Sequence, residues 1–306
     1  MKISVLICTY KRRELLDKCL KSIIENSIEL PDEVIIVDGE EGKIKDIILK
    51  WKDKFPNIKL IPTKNINLAV SRNIGLAYCN GDIIALTDDD VLVSVDWIRK
   101  IKQLHKEHIE AGAIGGKIKS IGNRLIDRIA DLVVFPFPDK KCYIRTIAGA
   151  NASYKNEVVS KIGKFDETLF RGEDVDYNWR ILKKGYKIYY DPELKVFHQH
   201  RATLKGLLNQ IFMYGRAYYL VRKKWPDMYC VYPHSIRNIK DILKICYFFL
   251  GIIIEPIYSL KNTKGFITKI IMFPILVISQ IVWRFGMIFE KTKCFLKLFL
   301  RNIHPK

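Results

Sequence analysis

Residues Gly81 to Val91 read GDIIALTDDDV. Ile83 to Leu86 is a short apolar run opened by Gly-Asp, the pattern of a strand buried on both faces of a sheet. It closes on three consecutive carboxylates, Asp88, Asp89 and Asp90. Like charges crowded at a strand end are costly unless solvent or a cation compensates them. Oxygen ligands at short spacing suit Mg2+ or Mn2+. Open α/β sheets bind their ligands beyond the carboxyl ends of the strands, where this triplet falls. Taken alone, the triplet equally fits an acidic turn capping a helix near Trp97.

The segments before it alternate strand and helix. Ile3 to Cys8 reads as a fully buried strand, and Leu15, Leu16, Cys19, Leu20, Ile23 and Ile24 recur at helical spacing before Pro31. A second strand, Glu33 to Val37, ends in Asp38-Gly39. A helix over roughly Lys43 to Lys52 and a third strand, Ile58 to Ile61, follow. Asn67 to Gly75 opens the helix that leads to the acidic strand. Its free N–H groups and Arg72 suit either a phosphate or a capped helix with a structural ion pair. The alternation predicts a mainly parallel α/β sheet. No GxGxxG or GxxxxGK[ST] pattern occurs, which argues against a classical dinucleotide fold or a P-loop.

Beyond Asp90 the pattern loosens. A helix is expected over about Asp96 to His108, then a Gly-rich stretch, Gly112 to Gly116. Residues 118–142 are poorly periodic, and Phe135 to Pro138 reads as a loop. Another helix is expected from about Asn156 to Lys161. Arg171 to Arg180 (RGEDVDYNWR) begins a helix with Glu173 and Asp174 at its N-terminus, where the dipole favours ionised carboxylates; the alternative is simple capping of that helix, the role left to Asp176. Strands are expected at Lys187 to Tyr190 and Leu194 to Phe197, the second running into His198-Gln199-His200. Two histidines at a strand end are plausible metal ligands, although lone histidines are more often structural.

Charge is unevenly spread. The net charge is +19, and from Arg201 onward 18 Lys and Arg face four acids, which leaves +5 for the first 200 residues. The basic third is interleaved with long apolar runs, which favours an anionic membrane surface over nucleic acid. Ile242 to Leu260 is apolar but interrupted, and Ile270 to Trp283 is uncharged between Lys269 and Arg284. Both are near the length at which crossing and lying in the interface compete. Lys293, Lys297 and Arg301, beside Phe295, Leu296, Phe299 and Leu300, form a basic amphipathic tail. Seven cysteines without CxxC pairing point to reduced thiols and a cytoplasmic setting. MKISVLICTYKRRE has no long apolar core, so no secretory signal is expected.

Taken together, these blocks resemble the family 2 glycosyltransferases of GT-A fold. SVLICTYKR, VDG, NLAVSRNIGL, TDDD, GAN, GKFDE, GEDVDYNWR and KVFHQH fall in the family's order over about residues 2–215. The resemblance implies a Rossmann-like mixed, mainly parallel sheet flanked by helices, followed by C-terminal apolar and amphipathic helices. It implies a catalytic domain at 1–215, with a nucleotide-sugar half of about 1–115 and an acceptor half of about 116–215. A basic aromatic linker at 216–241 and membrane-associating helices at 242–306 would follow.

Thr9, Tyr10, Arg12, Asp38, Arg72, Asp88 and Asp89 would bind the nucleotide sugar, with Asp38 accepting from a pyrimidine N–H and so favouring a UDP donor. Asp88, Asp90 and His198 would hold Mn2+ or Mg2+; His200 is a weaker candidate. Asn151, Glu173 and Trp179 would meet the acceptor, and Asp174, beside Glu173, would be the catalytic base. Two positions depart from the family: Asp38-Gly39-Glu40-Glu41 stands where Asp-Asp-Gly-Ser is common, and Lys11 where Asn is common. The implied activity is inverting, metal-dependent transfer from a nucleoside diphosphate sugar to a lipid-linked or envelope glycan. It is set at the cell membrane with the catalytic domain on the cytoplasmic side and no nucleic-acid partner. The alternatives are a nucleotidyltransferase, whose Gly-rich basic opening loop is missing, and an inactive nucleotide- or glycan-binding membrane protein.

Overall fold

The computed structural model describes residues 1–230 and 239–303. In chain order it contains β1 (Ile3–Thr9), α1 (Arg13–Ile24), β2 (Glu33–Asp38), α2 (Lys45–Lys52), β3 (Ile58–Pro62), α3 (Leu68–Leu76) and β4 (Ile83–Asp88). Then come β5 (Val91–Val93), α4 (Trp97–Glu107), β6 (Ala111–Ser120), α5 (Leu125–Val133), β7 (Cys142–Tyr143) and β8 (Asn151–Lys155). The last elements are α6 (Asn156–Ile162), α7 (Glu173–Lys183), β9 (Lys187–His198), α8 (Leu204–Lys224), α9 (Ile239–Ser259) and α10 (Phe266–Ile303). Contacts divide the chain into two compact units, Met1–Gly122 with Phe137–Gln199, and Asn123–Pro136 with His200–Lys306.

The first unit is a mixed sheet in the order β3-β2-β1-β4-β8-β6-β9-β5, with β7 added to β9. β1, β2, β3 and β4 run parallel because a helix returns the chain between each consecutive pair. Helices cover such strands, which is why ISVLICT and EVIIVD are apolar without alternation and almost wholly buried. β8 then enters antiparallel to both β4 and β6, and β9 lies parallel to β6.

The Gly112 to Gly116 stretch is the interior of β6. A Cβ at Gly115 would come within 2.3 Å of Ile147 Cγ2, and one at Gly116 within 1.9 Å of the Leu194 carbonyl. These glycines serve close backbone approach inside a sheet. The two strands expected at 187–190 and 194–197 are one continuous strand, β9, bearing a register shift against β6 between Gly116 and Lys117.

The second unit is helical. α5, within the poorly periodic stretch, starts where Asp127 Oδ2 accepts from the Arg124 N–H at 3.0 Å. Ile129 and Ala130 of α5 pack with Leu207 and Ile211 of α8 and with Met272 and Leu276 of α10. α8 and α10 touch backbone to backbone: a Cβ at Gly215 would lie 1.9 Å from the Trp283 carbonyl, and one at Gly286 2.2 Å from the Phe212 carbonyl. α8 runs unbroken from Leu204 to Lys224, across the expected boundary at 215/216. Residues 231–238 of the expected linker, and the Leu300 and Arg301 side chains of the expected tail, lie outside the described residues.

Two apolar windows, within Ile239–Ser259 and Phe266–Lys297, have mean hydropathy of 1.7 and 2.0, long and apolar enough to cross a membrane. Only 17% of each is buried within the protein, unlike the core helix of a soluble fold.

Candidate active site

β1, β2 and β4 end at one level, where the register pairs Thr9 with Asp38 and Cys8 with Asp88. From Asp88 the chain turns straight back through Asp89 and Asp90 into β5. β5 is antiparallel to β9 with Val91 opposite His198, and the Gln199 N–H donates to the Asp90 carbonyl at 2.9 Å. This short return carries Asp90 to His198, far downstream in sequence. Asp88, Asp90 and His198 each offer one ligand atom, and the three atoms lie within 4.8 Å of one another. His200 is elsewhere, in the second unit, with Nε2 3.0 Å from Asp131 Oδ1.

The cluster is electrostatically tense. Burial raises the Asp88 carboxyl by more than Arg72 lowers it. Burial also raises Asp90, but His198 and Arg12 outweigh it and the net shift is downward. Burial lowers His198, yet contact with Asp90 and the charge of Asp88 carry it above the ordinary imidazole value. Asp89 is pushed up to about 6, chiefly by burial, against the pull of Arg12. It faces inward, accepting from Thr9 Oγ1 at 2.8 Å and Arg12 Nη1 at 2.9 Å. Arg12 Nη1 also reaches Asp90 Oδ2 at 2.6 Å, so one guanidinium ties two of the three aspartates together.

Arg72, at 4% exposure, is the second clamp. Its Nη1 donates to Glu173 Oε1 at 2.7 Å, and its Nη2 lies 3.4 Å from Asp88 Oδ1. Burial pushes the Glu173 carboxyl up to about 7, against the opposing pull of Arg72. Gly149 makes room for this pair: a Cβ there would sit 2.3 Å from Arg72 Nη2. The Gly149 N–H in turn donates to Asp174 Oδ2 at 3.1 Å. Asp174 stays partly exposed at the start of α7. Asn73 fastens α3 to the segment before α7, donating to the Phe165 carbonyl and Glu167 Oε1 and accepting from the Phe165 N–H.

The remaining candidate residues spread out. Tyr10 is 41% exposed at the end of β1, its ring within 3.2 Å of where a Gly39 Cβ would stand. Lys11 has φ +57°, a conformation Asn adopts readily and Lys seldom, which gives a backbone reason for the family's usual Asn. Asp38 has no exposed surface, and its two oxygens accept from the N–H groups of Glu40 and Gly42, both at 2.9 Å. It shapes the loop after β2. Asn151 is likewise enclosed, donating to the Leu194 and Lys117 carbonyls and accepting from Trp97 Nε1. Trp179 is half-buried further along α7.

The donor set fits a divalent cation. Asp90 Oδ1 is buried without an aligned hydrogen bond among the described residues. Five carboxylates (Asp88, Asp89, Asp90, Glu173, Asp174) meet two arginines, and the excess negative charge calls for a cation. Two carboxylates suit hard ions such as Mg2+ and Mn2+, and the imidazole adds a nitrogen that Mn2+ accepts more readily.

The model of the glycosyl transferase family 2 matches residues 4–163, more than half of the chain, and the chain belongs to that family. It is 24% identical over 285 residues to a Methanococcus voltae dolichyl N-acetyl-alpha-D-glucosaminyl phosphate 3-beta-D-2,3-diacetamido-2,3-dideoxy-beta-D-glucuronosyltransferase, covering 86% of this chain and 88% of that one. It is 25% identical to the glucosyl-dolichyl phosphate glucuronosyltransferase of Haloferax volcanii, covering 80% and 82%. A mannosyltransferase from Pyrobaculum calidifontis, solved with GDP-Man and Mn2+, superposes with a TM-score of 0.64 at 16% identity, covering 94% of this chain and 86% of that one. Residues 1–349 of Staphylococcus aureus TarS superpose with a TM-score of 0.56 at 13% identity, covering 96% and 92%. The fold is GT-A, as the sequence blocks imply.

Proposed function

We propose that the chain moves a sugar from a nucleoside diphosphate sugar to a hydroxyl of a lipid-linked or envelope glycan, with inversion, using Mn2+ or Mg2+ held by Asp88, Asp90 and His198. The observation that carries the reading is the meeting of two acidic groups across one arginine. Asp88, with Asp90 and His198 behind it, lies on one side of Arg72, and Glu173 with Asp174 lies on the other. When bound, the cation supplies charge that offsets the negative charge developing on the departing diphosphate.

Asp174 is the base. It is partly exposed, whereas Glu173 is buried and committed to Arg72. The acceptor oxygen forms its bond to the anomeric carbon from the face opposite the diphosphate. The bond from that carbon to the diphosphate oxygen breaks, its electron pair leaving with the diphosphate, and the hydroxyl proton passes to the Asp174 carboxylate. One base and one displacement give inversion. Arg72 and Gly149 hold Glu173 and Asp174 in place, and Arg12 and Thr9 aim the aspartate turn. Tyr10 offers an exposed ring to the nucleobase of the donor.

The acceptor class draws on the two archaeal relatives, whose names specify dolichyl phosphate-linked glycans. Association of α9 and α10 with an anionic membrane fits their apolar surfaces and the basic charge around them. A cytoplasmic position for the first unit fits seven free cysteines.

The test is release of nucleoside diphosphate from UDP-, GDP- and dTDP-sugars in detergent, with and without lipid extract and Mn2+ or Mg2+. Release from one donor that needs both metal and lipid is the expected result. Failure of every donor to bind by calorimetry would overturn the reading.

A further inference from the structure

The turn between α9 and α10 shapes a groove lined by none of the residues of the acidic cluster. Its volume is about 740 Å3, and its walls are Ile254 and Ile257 of α9 and Ile270 and Phe273 of α10, with Lys261 and Lys269 at its edge. Gly265, at φ +87°, makes the tight turn, and the Lys269 N–H closes the first turn of α10 onto the Gly265 carbonyl. Lys269 is half-buried, and neither lysine has a carboxylate within ion-pair distance among the described residues. A partly desolvated ammonium against hydrocarbon is costly until an anion reaches it.

The two halves of this lining select one kind of ligand. Inorganic phosphate or a nucleotide would leave the apolar walls wet, and a neutral hydrocarbon would leave both ammonium groups unpaired. An amphiphile with a phosphate at the end of an apolar chain satisfies both. Among such amphiphiles, the dolichyl phosphates named for the two archaeal relatives match the acceptor class proposed above. Resting on the lipid-linked acceptor proposed above, we propose that this groove seats the phosphate and the first isoprenoid units of a polyprenyl phosphate carrier, with Lys261 and Lys269 on the phosphate.

The experiment uses the full chain in phosphatidylcholine nanodiscs with a photoreactive polyprenyl phosphate. Crosslinks are expected within residues 254–273, and excess unlabelled polyprenyl phosphate should abolish them. Lys261→Ala with Lys269→Ala should weaken capture roughly 30-fold, from the attraction of two basic side chains for an anionic head. Ile270→Trp, which keeps both charges and fills the groove, should weaken it as well. Crosslinks confined to other residues, or capture unchanged in both variants, would overturn the assignment. Competition by phosphatidylglycerol as strong as by polyprenyl phosphate would overturn it too, by making the groove a seat for bulk phospholipid. Capture needs no sugar donor, so its failure is separate from failure of the transferase reading, which shows as absent donor binding.

Discussion

The two units expose opposite kinds of residue. In the first, Ile3, Val5, Ile7, Val34, Ile35 and Ile36 have no exposed surface, and most ion pairs outside the acidic cluster sit at the surface. In the second, Ile253, Ile254, Ile257, Ile278, Ile281, Phe285 and Ile288 are exposed, while Arg284 and Glu290 are buried. Arg284 donates to Glu255 Oε1 at 3.2 Å and to the Phe248 carbonyl at 2.6 Å, and Arg216 Nε donates to Glu290 Oε2 at 2.7 Å. Gly251 leaves space for Arg284, whose Nη2 would lie 2.6 Å from a Cβ there. On the membrane association proposed above, one rule explains both: each unit turns toward its surroundings whatever those surroundings solvate. Water takes charges and hydrocarbon takes isoleucine, so charges that remain in the apolar unit pair inward.

That contrast can be attacked at several points. The largest effect is expected where the proposed mechanism uses a carboxylate of the first unit as base. Asp174→Asn should lower transfer about 10²- to 10⁴-fold, the usual range for losing a general base, with donor affinity kept. Diphosphate release and calorimetry on the same sample check it, and unchanged turnover removes Asp174 from the role.

Next come two of the buried arginines, Arg72 and Arg284. Arg72→Met strands Glu173 in the interior and should cost about 3–5 kcal/mol, as broken buried pairs do. Arg284→Met strands Glu255, whose side chain is 31% exposed, and should cost less. Thermal melts of both variants in one detergent decide this, and equal losses would break the contrast.

Smaller again is the effect of surface charge. Ile253→Asp with Ile281→Asp should release the protein from liposomes in co-sedimentation, each aspartate opposing burial in hydrocarbon by roughly 2.5–3.5 kcal/mol. Ile109→Asp, at a position 74% exposed in the first unit, should leave binding unchanged. A drop in both would mean that exposure in the two units is of one kind.

Smallest per step of one pH unit is the effect of a buried histidine of the first unit. His105 Nε2 lies 2.9 Å from Ser153 Oγ, which itself donates to the Ile114 carbonyl, so Nε2–H is the donor to Ser153. Burial lowers its pKa to about 3. The folded state therefore binds fewer protons than the unfolded chain between about pH 6.5 and 3. Its contribution to stability is complete above 6.5 and is lost as pH falls toward 3, by at most about 1.4 kcal/mol per pH unit. Denaturant titrations of His105→Gln should show a shallower acid loss than the parent; identical slopes would refute the assignment.

Much of the first unit was legible in the chain. Continuous apolar runs marked β1, β2 and β4, and helical spacing marked α1, because burial on both faces or on one stripe leaves a periodic trace. β6 was not legible, since its glycines answer to Ile147 and Leu194, which only the sheet brings near. α5 was missed although six of its nine residues are apolar, because so short a run offers little over two turns of helix in which a period can show. At the site, the order of the motifs named Asp88, Asp90, His198, Arg72, Glu173 and Asp174. It did not separate residues that face the cleft from those that build it. Asp38 and Asn151 look in sequence like binding groups, and each spends its hydrogen bonds inside the fold. Gly149 carries no side-chain chemistry at all, yet decides where Arg72 can lie.

Sequence by itself determined the family, the alternation of the sheet, the acidic strand end and the apolar, basic character of the last third. These follow from local pattern and composition, which neighbouring residues along the chain are enough to set. Tertiary structure alone decided which carboxylate is clamped and which is open, that His198 and not His200 meets Asp90, and that Arg284 pairs inward with Glu255. Each of those depends on distances between residues far apart in the chain, and hydrogen bonds and desolvation act over a few ångströms of space whatever the separation in sequence.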